Sequence, residues 1–470
     1  MNQRLLERPD LDRRPAPAST AGARGDAQLL DEGRTRTGGS LRRLRTHPRL
    51  MPYQRLVVAV LVVNAAVLVH GLSGGDWRIA DGTALDALAA LSLVNVTAAV
   101  LMRQQLVLNL LYGLVGRGST TWPLWVRWSV SKVHHVGGIH AGAAIAATGW
   151  LCAFTATAFV TGARHPDAVT TLTLVLCSVL VVLVVTVTIG AAPIVRARAH
   201  NVFEFTHRWG GWTAVGVFWV LTVHLAVEGR GDDSALAAVA SDWHVWVLAL
   251  VTLSIASPWL RLRRVPITVE RPSPHVAIVE LDHGVTPSFS AAVAISRSPL
   301  REWHPFATIT RPGRSGYRLV ISRAGDWTGR FIDDPPTHVW VRGMPVVAPM
   351  AKAAMLYERV VYVATGSGIG PLLGQILSER VPGKLVWSTR DPRKTYGDAL
   401  VDEVHAAAPH AVIWDTTALG KPDLTQLAVD AVRDFDAEAV LVVSNKPTTF
   451  RLVHDLERRG IPAFGPIFDS

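Results

Sequence analysis

Val360-Val361-Tyr362-Val363-Ala364-Thr365-Gly366-Ser367-Gly368-Ile369-Gly370-Pro371 decides how the second half of this chain is read. A β-branched apolar run stops at a turn with three glycines in five positions, and a helix-like segment follows. Glycines let the backbone turn tightly and approach a pyrophosphate, while a helix N-terminus offers free N–H groups and a positive dipole end. Strand, glycine turn and helix together point to a dinucleotide loop built from Gly366, Ser367, Gly368, Ile369, Gly370 and Pro371. Further apolar runs at 384–388, 411–414 and 439–443 alternate with helix-like segments. That alternation predicts a parallel sheet with crossover helices, an α/β domain over 353–470. The second run ends Trp387-Ser388-Thr389-Arg390-Asp391. Arg390 therefore stands at the carboxyl edge of the sheet, where open α/β sheets take their ligands. It is either a contact for a 2′-phosphate or a solvated strand-end cation.

Upstream, residues 265–350 break into short β-like runs at 276–281, 306–310, 317–322 and 337–342, separated by Gly and Pro. They predict a small antiparallel β-barrel over 263–352. Two aromatic turns stand out there, Trp303-His304-Pro305-Phe306 and Gly325-Asp326-Trp327-Thr328-Gly329. Residue chemistry alone makes them structural.

The first half is different. Six apolar stretches lie near 55–72, 83–102, 133–160, 169–195, 207–227 and 243–260. Each is long enough for a hydrocarbon core of about 30 Å, which predicts a six-helix transmembrane bundle over 51–262. One set of connections carries Arg103, Arg117, Arg127, Lys132, Arg196, Arg198 and Arg208, with Arg261, Arg263 and Arg264 after the last span. The other set holds Arg78, Arg164 and Arg230 among Asp76, Asp81, Asp167, Asp232 and Asp233. Basic residues stay in the cytoplasm, so the reading is a multi-pass protein of the inner (cytoplasmic) membrane with both termini cytoplasmic. Residues 1–50, rich in Arg, Pro and Gly, read as a disordered basic tail.

The net charge of +10 over 470 residues does not mark a nucleic-acid binder. The first 50 residues alone carry 11 basic against 6 acidic side chains, and no basic stripe with interleaved aromatics appears elsewhere. Cys152 and Cys177, both in apolar runs, exclude a disulfide scaffold, a Cys-rich zinc site and an iron–sulfur cluster. Ionisable groups inside a bilayer are costly and mark function. The histidines to weigh are His134, His135 and His140 on the third span and His207 and His224 on the fifth. Two imidazoles from different helices would ligate a haem iron axially; the alternative is a hydrogen-bonded polar cluster packed on Gly137 and Gly138.

Six spans, intramembrane histidines, a barrel with His-Pro-Phe and a glycine-rich nucleotide domain resemble the ferric reductase and NADPH oxidase superfamily over residues 55–470. Three segments are similar, more narrowly, to TmpA-type membrane flavoproteins: 132–140, 200–208 and the ending Gly465-Pro466-Ile467-Phe468-Asp469-Ser470. The resemblance implies FAD held by His304, Pro305 and Phe306 and by Asp326, Trp327 and Thr328, with Phe468 as the aromatic that covers the flavin. It implies NAD(P)H at the 366–371 loop. Two positions depart from the pattern. The flavin-facing Thr or Ser is Ala307 here, which passes a hydroxyl contact to Thr308 or elsewhere. The Cys-Gly-Pro beside the nicotinamide is replaced by Ser444-Asn445-Lys446-Pro447. The superfamily spaces its haem ligands 13 or 14 residues apart, yet 14 past His135 is Gly149 and 14 past His207 is Leu221. This leaves one inner haem b as an option, between His134 or His135 and His207, with His224 near the outer face.

The expectation is a membrane oxidoreductase that passes electrons from NAD(P)H through FAD to a small-molecule or membrane-associated acceptor. The rival is a non-enzymatic membrane sensor or scaffold on a degenerate reductase fold. A transporter would need paired broken helices or repeated halves, and neither is visible in the sequence.

Overall fold

In a computed structural model, residues 51–466 are described except 75, 76, 78–83, 230, 232, 233 and 312. The tail 1–50 and Phe468 lie outside them.

Five helices are long and apolar enough to cross a membrane: Pro52–Ser73, Gly137–Arg164, Thr171–Gly190, His200–Glu228 and Trp243–Arg261. The sixth expected span falls on Leu85–Leu101, which passes the same test only together with Gln105–Val115, bent from it by 65°. We label the straight helices α1 (Pro52–Ser73), α2 (Leu85–Leu101), α3 (Gln105–Val115), α4 (Gly137–Arg164), α5 (Thr171–Gly190), α6 (Gly211–Glu228) and α7 (Trp243–Ala256). Apart from α3, they are apolar nearly all round, and side chains such as Val62, Val69 and Val182 face outward. A helix of that kind needs an apolar surround.

The centre of the bundle is α4, which packs against α1, α2 and α5. Its Gly138-Ile139-His140-Ala141-Gly142 segment is a GxxxG pair, which lets two backbones close up. A Cβ on Gly138 would sit 2.4 Å from the Tyr53 carbonyl oxygen of α1, and one on Gly142 would be 2.9 Å from Val60 Cβ. Farther along, the Trp150 indole donates to Asn64 Oδ1 (2.7 Å), and Asn64 and Asn95 exchange amide hydrogen bonds (3.2 and 2.9 Å). Trp77 meets Trp150 edge-on at 5.8 Å. Every side-chain polar atom of Asn64, Asn95 and Trp150 has a partner, which is what an apolar surround demands.

Next comes an antiparallel sheet in the order β4-β3-β6-β1-β2-β5, with β7 pairing β3. Its strands are β1 (Arg263–Ser273), β2 (Val276–Leu281), β3 (Ala291–Ser296), β4 (His304–Ala307), β5 (Tyr317–Ser322), β6 (His338–Val341) and β7 (Val346–Val347). An Ile309–Arg318 bridge brings the chain after β4 onto β5, so the barrel nearly closes. The strand expected at 306–310 begins two residues earlier, because His304-Pro305-Phe306-Ala307 pairs with β3. Strands β1, β3 and β7 lie outside the runs expected from the sequence. The Gly325–Gly329 turn is the start of a helix, α8 (Asp326–Asp333). The Thr328 hydroxyl accepts from the Ala324 and Gly325 amides (2.9 and 3.1 Å) and donates to the Gly325 carbonyl, so one side chain in the first turn satisfies the backbone ahead of the helix.

The last domain is a parallel sheet in the order β10-β9-β8-β11-β12, made of β8 (Val360–Thr365), β9 (Gly383–Thr389), β10 (Val412–Asp415), β11 (Ala439–Val443) and β12 (Ala463–Phe464). The chain steps outward from β8 in both directions, so the switch point lies between β8 and β11. Helix α9 (Ile369–Ile376) follows β8 and is wedged between the two sheets: Ile369, Leu372 and Leu373 share one core with Val276, Ile278, Ile309 and Val320 of the barrel.

The nucleotide domain is also tied to the segment ahead of α4. Arg127, only 8% exposed, donates to both oxygens of Glu438 (2.9 Å each), to the Leu356 carbonyl (3.1 Å) and to the Trp122 carbonyl (2.9 Å). Lys132 and the Trp128 indole both reach Glu457.

Introducing a methyl at the α1–α4 contact tests that packing. Gly138→Ala meets a backbone carbonyl and should destabilise by about 1–3 kcal/mol, read as a lower thermal midpoint of detergent-purified protein. Gly149→Ala, whose Cβ meets nothing within 4 Å, should leave the midpoint unchanged or raise it.

Candidate active site

The glycine turn sits at the switch point, in the crevice where doubly wound sheets bind ligands. Gly366 has φ +48°, a conformation that L side chains rarely adopt. Its carbonyl is held by the Trp387 indole at 2.9 Å. A Cβ on Gly368 would lie 2.1 Å from the Val443 carbonyl oxygen of β11, so the turn is pressed onto the neighbouring strand. Gly370 and Gly374 serve the other side of α9, where a Cβ would come within 3.3 Å of Val320 Cβ and 2.9 Å of the Thr308 carbonyl oxygen. Ser367 is exposed at the mouth of the crevice, and Pro371 stands in the first turn of α9. Across the crevice, Ser444 is hydrogen-bonded to Thr365, and Asn445 caps the next helix by accepting from the Thr448 amide (3.0 Å). Arg390, at the end of β9, is exposed and makes no ion pair among the described residues.

The two aromatic turns of the barrel, far apart in sequence, come together. His304 of β4 stacks on Trp327 of α8 (ring centres 4.2 Å apart, planes at 29°), and Phe306 lies beyond at 6.0 Å. Pro305 is exposed beside them. His304 Nε2 and Trp327 Nε1 are buried with no protein partner. Such orphaned polar atoms are rare and call for an explanation; a flat, hydrogen-bonding ring system such as a flavin supplies one. Burial holds the His304 imidazole at about 4, against the opposing pull of Glu302, with His200 and Arg208 adding to the depression. Asp326 is exposed at the first position of α8. Thr328 is taken up by the cap. Thr308 does not take the role passed to it from Ala307. It is fully buried, and its hydroxyl donates to the Ala291 carbonyl (3.1 Å) and accepts from the Ala291 amide (3.3 Å), so it braces β3 and faces no opening.

The histidines sort into three groups. His134 and His135 are neighbours in a 3-10 turn, Ser131–His135, ahead of α4. Their rings are 4.0 Å apart, and they line a cleft with Thr449, Phe450 and Glu457 of the nucleotide domain. The expected pairing of His134 or His135 with His207 is therefore not the one the fold makes. His207 meets His140 instead, with ring centres 6.4 Å apart and planes at 68°. His140 Nδ1 is engaged by the Ala99 carbonyl oxygen at 2.8 Å, which leaves Nε2 as its free nitrogen. His207 lies in a π-turn, Thr206–Gly210, a feature frequent at functional sites. Two imidazoles on opposite sides of one metal ion, at bonds of about 2 Å, hold their ring centres roughly 6 Å apart. His224 is spent elsewhere: its Nε2 is 3.0 Å from Thr170 Oγ1 and 3.2 Å from Glu228 Oε1. Where a second pair would be sought, the bundle is filled by Trp150 and Leu221, both buried. Among the described residues no group of three or more His, Cys, Asp or Glu could hold a metal ion.

A link between barrel and bundle was not legible in the sequence. Arg208, next to His207, donates to the carbonyls of Leu300 and Arg301, just ahead of His304. Arg342 lies between Trp259 and Trp303, 4.8 and 4.4 Å from their ring centres.

Residues 350–470 match the family model for the C-terminal domain of adenylate-forming reductase 03009. Adenylate-forming reductase 03009 of Coprinopsis cinerea is 39% identical over 444 residues, 94% of this chain and 42% of that protein. Adenylate-forming reductase 06235 of the same fungus is 38% identical over 443 residues, with the same coverage. The chain thus spans about two fifths of the length of the curated relatives it matches. Among solved structures, the ferredoxin reductase in carbazole 1,9a-dioxygenase aligns at a TM-score of 0.35 and 15% identity, covering 44% of this chain and 69% of its own. A ferredoxin NADP+ reductase from Neisseria gonorrhoeae with bound FAD and NADP aligns at 0.34 and 12%, covering 44% and 99%.

The depressed His304 has a consequence for stability. The unfolded imidazole titrates near 6.5 and the folded one at about 4, so the unfolded state binds more protons between those values. The His304 contribution is complete above pH 6.5 and is lost as the pH falls towards 4. His304→Phe keeps a ring on Trp327 and removes the titration. The thermal midpoint of the wild type should fall more steeply than that of the variant between pH 6.5 and 4.5.

Proposed function

We propose that this protein is an integral membrane flavoprotein reductase that draws electrons from NAD(P)H and delivers them to a small-molecule acceptor on the cytosolic side. The observation that carries this reading is the Arg208 link. It ties the turn bearing His207, which meets His140, to the loop ahead of His304, and this supports a candidate flavin face near that histidine pair. The names of the curated relatives, adenylate-forming reductases, support a reductase.

In this reading the 366–371 turn and the N-terminus of α9 bind the nicotinamide nucleotide, with Arg390 at the edge reaching its ribose end. His304, Pro305, Phe306 and Trp327 hold the isoalloxazine, and the start of α8 at Asp326 faces the rest of the FAD. Flavin, when bound, accepts one hydride and can release its two electrons singly, and the protein supplies position and electrostatics. At neutral pH and down towards pH 4, His304 stays neutral because it is buried, and it offers Nε2 without placing a charge beside the ring. His140 and His207 would be the residues to hold a single haem b or other metal centre, which would carry electrons one at a time. Beyond them the bundle is packed with Trp150, Asn64 and Asn95, which offers no second centre and favours an acceptor reached from the inner leaflet. The basic connections support cytoplasmic termini.

A spectrum of detergent-purified protein before and after anaerobic NADPH tests this. Bound flavin that bleaches on NADPH is expected; flavin that stays oxidised with both NADPH and NADH would leave the sensor reading in its place. A Soret band, where present, should vanish in His140→Ala and His207→Ala with flavin retained, and survive in His134→Ala, His135→Ala and His224→Ala.

A further inference from the structure

Helix α3 was expected to be part of a connection between spans, and its eleven residues do something else. At about 1.5 Å per residue it is roughly 16 Å long, about half of a hydrocarbon core, and it turns 65° away from the line of α2. One face is gripped by the barrel. Gln105 Oε1 accepts from the Met344 amide (3.0 Å). One turn on, Asn109 donates to the Pro345 carbonyl (3.0 Å) and accepts from the Val347 amide (2.8 Å). Val115 joins the core shared by the barrel and the nucleotide domain. The opposite edge carries Leu106, Leu110 and Leu114 at a spacing of four, exposed by 55, 65 and 51%. The chain runs on through Trp122, Leu124 and Trp125, exposed by 40, 41 and 72%, before Arg127 and Lys132 take hold of the nucleotide domain.

We propose that residues 105–125 form a platform lying in the plane of the bilayer surface, with the leucine edge and the two tryptophans in the lipid interface and the opposite face carrying both catalytic domains. This rests on the membrane reading above. The occupant is lipid because the chain enters the stripe from α2 across a break of only three residues. Exposed Arg103 and Arg117 flank the stripe, as suits phosphate headgroups, and indoles favour that depth. A helix of this kind would hold the domains at a set height on the membrane.

The test places a fluorescent non-canonical amino acid at Leu110 of the full chain in lipid nanodiscs, with controls at Val182, mid-way along α5, and at Leu419 on the nucleotide domain, both exposed. Quenching is compared between lipids brominated near the headgroup, lipids brominated mid-chain, and aqueous iodide. The expected result is several-fold stronger quenching at Leu110 by the shallow bromines than by the deep ones, with Val182 showing the reverse and Leu419 responding to iodide alone. Leu110 behaving like Leu419 would overturn the platform, as would Leu110 behaving like Val182, which marks a buried re-entrant segment. Quenching by none of the three would mean a protein partner on the stripe and overturn it too. If Val182 itself answers only to iodide, it is the membrane reading that fails.

Discussion

The closeness of α9 to both sheets is the constraint on which the rest of the structure depends. Gly368 lies against a β11 carbonyl, Gly370 against Val320 and Gly374 against the Thr308 carbonyl. A side chain at any of these positions would push the helix off a sheet. With the glycines in place, its apolar residues complete one core that belongs to the barrel and the parallel sheet together. The crevice at the switch point and the aromatic stack of the barrel are thereby fixed with respect to one another.

The same body must also be joined to helices that are apolar nearly all round, and that junction is polar. Arg127 is the extreme case, a nearly buried charge whose hydrogen bonds go to Glu438 and two carbonyls. An unpaired charge there would be strongly destabilising. Arg208 and Asn109 do related work by bonding backbone carbonyls of the barrel. Backbone groups are satisfied at the same time, so the contacts are specific without needing a large apolar interface. The region matched makes up about two fifths of the length of the curated relatives.

Local signals were the legible ones. The 366–371 turn announces itself because positive φ and close backbone approach demand glycine in a short window. The parallel sheet shows as apolar runs at helix-sized intervals. Strand β1 was hidden because Pro266 interrupts a run that otherwise alternates Val265, Ile267 and Val269 inward with Thr268 and Glu270 outward, and α8 because Gly-Asp-Trp-Thr reads equally as a turn or a cap. Helix α3 was hidden too, since Gln105 and Asn109 look like loop residues until their barrel partners are known.

The sequence by itself determined the order of domains, the apolar character of the first half and the place of the glycine loop, because each depends on neighbours within a few residues. Only the tertiary structure decided that His207 meets His140 and not His134 or His135, and that His304 stacks on Trp327. It also decided that Thr308 is turned inward. Those choices depend on which faces of distant elements are brought together, and that is set by packing: glycines on α4 that let α1 close in, a π-turn that displaces His207, and a short 3-10 turn that carries His134 and His135 over to the nucleotide domain.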